Sequence, residues 1–224
     1  MEILSILLIA YTIYISPTIY YRVFNRNTKK FNSENKIALT FDDGIDENYT
    51  EELLELLYKY NIKATFFILT STIEKNPQIL DRMESEGHVI GLHSLEHKCP
   101  LFKGYFYTKR DFENSINIFK RNNIDIKYFR PPWGVFNLFT IRYMKKHGLK
   151  TVLWSVMVGD WRRTTTSQEI ERKLMKKIKP GAIICLHDGR GREGAPSRTI
   201  EALERAIPLL KADYDFVTME KVYG

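Results

Sequence analysis

From residue 37 onward, short uninterrupted apolar runs alternate with longer amphipathic stretches, which constrains the chain to parallel strands joined by crossover helices. The runs at 37–41, 64–69, 89–93, 128–130, 151–155, 182–187 and 215–218 are short and rich in β-branched or aromatic residues. They lack polar alternation, as strands covered on both faces should. The stretches 49–60, 77–86, 109–122, 138–146, 167–177 and 199–211 read as helices between them. In the first of these the leucines recur at helical spacing, and Thr50 is placed to cap the helix. The pattern predicts one α/β, barrel-like domain over residues 36–224.

The segment before it is different in kind. Residues 3–21 contain no charge, and as a helix they would cover roughly 28 Å at ~1.5 Å per residue, close to a hydrocarbon thickness of ~30 Å. Tyr20 and Tyr21 ahead of Arg22 resemble an interfacial belt. There is no basic start and no small-residue cleavage site, so the reading is an uncleaved membrane anchor at 1–24 and a basic linker at 25–35. Arg22, Arg26, Lys29 and Lys30 follow the apolar run and no cation precedes it, which by the positive-inside rule places the domain on the cytoplasmic side.

The 224 residues are 44% hydrophobic and 27% charged, a composition that excludes disorder. A net charge of +7 favours an anionic partner or surface, but no nucleic-acid recognition motif accompanies it, and none is expected to bind. Two cysteines, Cys99 and Cys185, give no disulfide framework.

The chemistry concentrates at His93-Ser-Leu-Glu-His97. On one helical turn that spacing would put both imidazoles on one face, within reach of a single divalent metal. Asp42-Asp43, at the end of the first strand-like run, completes a carboxylate-plus-two-histidine set that leaves a position open for water and a second carboxylate free to act as a base. Arg130, Asp160 and His187 also fall at or just past the carboxyl ends of strand-like runs, the rim where parallel barrels build their sites. This grouping points to metal-assisted hydrolysis.

Five motifs in order, Thr40-Phe-Asp-Asp-Gly44, His93-Ser-Leu-Glu-His97, Arg130-Pro-Pro-Trp-Gly134, Gly159-Asp-Trp161 and Leu186-His-Asp188, are similar to those of the polysaccharide deacetylases, carbohydrate esterase family four. The resemblance runs from about Lys36 to the end of the chain. It implies a distorted (β/α) barrel of about seven parallel strands and hydrolysis of the N-acetyl group of amino sugars in a polysaccharide or lipid-linked glycan. By the same resemblance Asp43, His93 and His97 would bind a divalent metal, zinc being expected, with Asp42 as general base and His187 as general acid tuned by Asp160. Arg130 would hold Asp42 ionised, the N–H of Trp133 would meet the oxyanion, and Trp161, Cys185 and Leu186 would line the acetyl pocket.

Two positions depart from the family pattern: Met157 stands where an aspartate is common, and Cys185 where leucine is common, which would leave a slightly roomier acyl pocket. The loops beside the site are basic. Arg162, Arg163, Arg190, Arg192 and Arg198 would form either a solvated face or a lip that reads phosphate. A deformylase or other amidase on the same scaffold, and a catalytically silent carbohydrate-binding module, are the competing readings. The family's usual setting is extracytoplasmic, opposite to the charge rule.

Overall fold

In the computed structural model, which describes residues 2–25, 28–191 and 194–223, β1 (Lys36–Asp42) lies at the centre of a wholly parallel, curled sheet. The others are β2 (Thr65–Leu69), β3 (Val89–Ser94), β4 (Tyr128–Phe129), β5 (Lys150–Thr151), β6 (Val156–Met157), β7 (Ile183–His187) and β8 (Asp215–Phe216). Seven of them run in the order β5-β4-β3-β2-β1-β7-β6, and β8 joins the start of β1. Helices α3 (Thr50–Lys59), α4 (Pro77–Ser85), α5 (Tyr105–Arg121), α6 (Leu138–Lys146), α7 (Ser167–Lys177) and α8 (Ala195–Asp213) connect or cover the strands, and α9 (Met219–Tyr223) closes the chain. This is a curled half-barrel, in line with the expected α/β class.

The expected strand at 151–155 does not form beyond Thr151, and the gap explains the curl. It links β5 to β6, which begins just past it, and these two strands sit on opposite edges of the sheet. Five Cα steps link Thr151 to Val156, a reach of at most roughly 17 Å, so the edges must curve toward each other. Between them Val152 and Leu153 give their carbonyls to the guanidinium of Arg130 instead of to a neighbouring strand.

Alternation along each strand separates two cores. Leu39, Phe41, Phe66, Ile68, Ile184 and Leu186 face the helices in the larger one. Ala38, Phe67, Tyr128, Val152 and Ile183 face inward, and Met219 joins them. Thr50 is not the cap of α3, whose N-cap is Tyr49; its hydroxyl hydrogen-bonds Asp188.

The apolar N-terminal run departs most from expectation. Among the described residues, no single helix is long and apolar enough to cross a membrane. The run splits into α1 (Glu2–Tyr14) and α2 (Ser16–Ile19), the latter continuing as a π-helical turn, Tyr20–Phe24, and the two parts bend by 42°. Pro17 is the physical cause, since it has no N–H to continue the ladder across the join. The second part packs on the barrel: Tyr21 is buried and stacks on Phe136 at 4.4 Å, and the Thr18 hydroxyl donates to the Phe136 carbonyl and accepts from its N–H, both at 2.8 Å. The expected linker is also fastened down, with Phe31 N–H bound to the Gly181 carbonyl and Leu153 N–H to that of Thr28. Arg26 lies outside the described residues.

Because Tyr21 is buried by the domain, Tyr21→Ala should lower stability by about 2–4 kcal/mol in chemical denaturation, as deletion of a packed aromatic does. An unchanged midpoint would mean that the segment adds nothing to the fold.

Candidate active site

Parallel register brings the two key strand ends together: Asp42 on β1 is paired with His187 on β7. His93 lies near the end of β3, Arg130 directly after β4, and Asp160 shortly after β6, so all five groups share one rim.

Arg130 is fully buried, and all three of its guanidinium nitrogens donate hydrogen bonds. Nη1 donates to Asp42 Oδ1 at 2.6 Å and to the Thr40 hydroxyl at 2.8 Å. Nε and Nη2 donate to the carbonyls of Val152 and Leu153 at 3.1 and 3.0 Å. The other oxygen of Asp42 accepts from the Cys185 thiol at 3.3 Å. Burial, aided by the Asp42 charge, pushes the Cys185 thiol well up, so it stays protonated and serves as a donor. Cys185 therefore acts on the carboxylate as well as lining the cleft.

The second cluster joins Asp43, His93 and His97, whose ligand atoms lie within 4.8 Å of one another. Their arrangement is not the helical turn expected from the spacing. His93 is on a strand, and His97 sits on the following loop with φ 54°, turned back toward Asp43. The ring contact is made by chain reversal rather than helical periodicity. Asp43 Oδ1 stands 3.3 Å from His93 Nε2 and 3.2 Å from His97 Nε2, yet is buried without a hydrogen-bond donor. His93 Nδ1 lies 2.8 Å from the Arg130 carbonyl, which can only accept, so Nδ1 carries the proton and Nε2 keeps its lone pair. Burial drives His97 down to about 4, leaving a neutral imidazole. Burial opposes ionisation of Asp43, but its contacts with His93 and His97 and the charge of His187 outweigh it and hold it at about 2. One anionic oxygen, itself an orphaned buried acceptor, and two imidazole nitrogens fit one divalent cation.

His187 lies against Asp160, Nδ1 to Oδ1 at 3.2 Å, and its own backbone N–H binds Asp160 Oδ2 at 2.8 Å. Thr199 adds a bond to the same carboxylate at 3.3 Å. Burial alone would lower His187, but the Asp160 charge and hydrogen bond outweigh it and lift the imidazole to about 9. Trp161 stands edge-on to His187, with centroids 5.1 Å apart, and the half-exposed Trp133 packs on His97 at 4.2 Å. Together these residues enclose a cleft of about 690 Å³, a size suited to a small ligand. Leu186 does not reach it: strand alternation turns that side chain to the helix-covered core. Its expected place in the acetyl pocket is thus corrected.

Of the five basic-loop arginines, Arg190 lines the cleft. Arg162 lies over the Trp161 ring, and Arg198 is tied to the carbonyls of Thr165 and Arg162. Arg163 is exposed, and Arg192 lies outside the described residues.

Three contributors escaped the sequence reading. Asp188 is buried and accepts from Gly44 N–H at 3.1 Å and the Thr50 hydroxyl at 2.8 Å, fixing the turn that carries Asp43. A Cβ at Gly44 would come within 2.2 Å of Asp188 Oδ2, so the motif's glycine is required by this approach. Asp111 on α5 accepts from Leu95 N–H at 2.6 Å and supports the His93–His97 loop. Arg22, from the N-terminal segment, also lines the cleft. The Leu186-His-Asp188 motif was the only local signal for any of these.

A sequence profile described as polysaccharide deacetylase matches residues 29–152. A peptidoglycan-N-acetylglucosamine deacetylase of Bacillus cereus is 34% identical over 194 residues, covering 85% of this chain and 89% of that protein. Peptidoglycan-N-acetylmuramic acid deacetylase PdaA of Bacillus subtilis is 35% identical over 202 residues, covering 87% and 72%. The crystal structure of the Bc1960 peptidoglycan N-acetylglucosamine deacetylase, at 30% identity, superposes with a TM-score of 0.81 over 91% of this chain and 96% of that one.

The His187–Asp160 pair has a definite pH signature. With its folded pKa raised from 6.5 to about 9, His187 contributes stability in full below 6.5, and this is lost as pH rises through about 9. NMR titration of the metal-free protein should place the His187 ring near 9, and Asp160→Asn should bring it down toward or below 6.5. A ring that already titrates at 6.5 with Asp160 intact would refute the coupling.

Proposed function

The chain belongs to the polysaccharide deacetylase family, and from that premise we propose that it hydrolyses the N-acetyl group of N-acetylglucosamine or N-acetylmuramic acid units in peptidoglycan or a related amino-sugar glycan, releasing acetate. The observation that carries this reading is the adjacency of two separately tuned groups: Asp42, held by Arg130, and His187, held by Asp160. A binding module needs neither. A protonated imidazole and a carboxylate side by side in the cleft suit the acid and base halves of amide hydrolysis. The deformylase reading differs only in the acyl pocket. Lipid-linked glycans fall within the same chemistry.

Asp43 and the Nε2 atoms of His93 and His97 would hold the divalent cation, zinc by the ligand set, which when bound supplies Lewis acidity to the acetamide carbonyl and acidity to the attacking water. Asp42 accepts the proton of that water as its oxygen bonds to the carbonyl carbon. Arg130 fixes the direction of Asp42 through the 2.6 Å bond. The backbone N–H of Trp133, which carries no hydrogen bond among the described residues, is available to the developing oxyanion. As the C–N bond breaks, His187 passes its proton to the departing amine, and Asp160 stabilises the imidazolium beforehand. Acetate and a free amino sugar result.

Asp42→Asn and His187→Ala should each lower acetate release from N-acetylated glycan fragments by roughly 10²–10⁴ while the protein still binds one equivalent of metal. Replacing His93 and His97 together by alanine should abolish that binding in elemental analysis. Near wild-type turnover in Asp42→Asn would place the base elsewhere.

We also propose a lipid surface as the partner of α1, since Ile3, Leu4, Ile6, Leu7, Leu8 and Ile9 are all exposed. The full chain should float with phospholipid vesicles on a density gradient, and a chain lacking residues 1–15 should not. Equal flotation of both would remove the role assigned to α1.

A further inference from the structure

The charge balance of the cleft leaves a surplus. Asp42 is matched by Arg130 and Asp160 by His187, and Asp43 faces the two neutral histidines with which it would hold a cation. Arg22 and Arg190 line the same cleft from two separate elements, the π-helical turn before the domain and the loop after β7. Both are exposed, and among the described residues neither has a carboxylate within ion-pair distance. A neutral acetamido sugar offers these cations hydrogen-bond acceptors but no charge to match them.

Arg22 is also held in place. Its Nη2 donates to the Trp133 carbonyl at 3.1 Å, and its guanidinium lies over the Trp154 ring, 5.8 Å from the centroid. Gly134, with φ +63°, makes room: a Cβ there would sit 3.3 and 3.4 Å from Nη2 and Nε of Arg22. Only one of the five N–H donors of the fork is used in a hydrogen bond. An arginine already ordered against an aromatic face loses less freedom on gripping an oxyanion than a free one. The neighbouring Trp133 is 51% exposed and offers a flat apolar surface for a sugar ring.

We propose that Arg22 and Arg190 form an anion subsite of the cleft, which binds a carboxylate or phosphate carried on the sugar whose acetamide is cut or on the sugar next to it. The proposal rests on the deacetylase reading and gives it a substrate class: anionic amino-sugar glycans over neutral ones. It also makes the N-terminal segment part of the substrate site.

The test uses the full metal-loaded chain and three oligosaccharides of equal length, one neutral, one bearing an ether-linked carboxylate and one bearing a phosphate ester. Wild type should favour at least one anionic form over the neutral one in kcat/KM by about tenfold or more, the order expected of a charge-assisted hydrogen bond. The carboxylate and phosphate arms identify which anion is read. The preference should shrink between about 0.01 M and about 1 M salt, as the screening length falls from ~30 to ~3 Å. Arg22→Gln and Arg190→Gln should each reduce the anionic-to-neutral ratio, and the double variant should erase it. No preference in wild type, or an equal loss on all three substrates in the double variant, overturns the proposal. Calorimetric binding of the same oligosaccharides to the Asp42→Asn protein separates the two readings. An arginine-dependent preference in binding, with no acetate released by wild type from any of them, would sink the deacetylase assignment and leave the subsite standing.

Discussion

The Arg130 guanidinium occupies the point where the seam of the barrel, its inward-facing core and the site meet. It bridges Thr40 and Asp42 on β1 to the Val152 and Leu153 carbonyls in the gap between the sheet's two edges. Burying such a charge is costly, and a buried ion pair is weak evidence for added stability. Breaking this one is a different matter: loss of either partner strands the other in a dry interior, at a cost of about 3–5 kcal/mol. The fold thus holds the Asp42 carboxylate in one fixed direction. The same residue orients the candidate metal cluster, because its backbone carbonyl fixes the His93 tautomer.

Around that centre the supports follow one pattern, in which a buried carboxylate organises a functional neighbour. Asp160 raises His187 and takes its backbone N–H. Asp188, pushed by burial up to about 7, holds the Gly44 turn, and Asp111, pushed by burial up to about 6, holds the loop before His97. These aspartates sit on different elements from the residues they position. Their convergence gives the site rigidity without burdening the reacting atoms.

The N-terminal segment combines two roles that its composition alone conflates. α1 buries none of its residues, whereas the part beyond the Pro17 bend stacks, hydrogen-bonds and delivers Arg22 to the cleft. An apolar helix and a catalytic wall are therefore joined by one short bend.

The sequence by itself determined the α/β class, most of the helices and the rim on which the site lies, since periodicity and strand-end position depend on local pattern. It also marked Asp42, Asp43, His93, His97, Arg130, Asp160 and His187, because motif order survives without coordinates. Helix α6 matches its expected bounds, while the 151–155 run, expected as one strand, became a link between two strands on opposite edges. That outcome turns on a long-range demand, the Arg130 donors competing for carbonyls that a ladder would otherwise take. Only the tertiary structure decided that His97 reaches Asp43 through a left-handed loop residue, that Leu186 faces away, and that Asp188, Asp111 and Arg22 belong to the site. The residues concerned are joined across 144 positions for Gly44 and Asp188, and 111 for Arg22 and Trp133. Charge, burial and hydrogen-bond competition at such separations exist only once the chain has folded, so no local pattern could carry them.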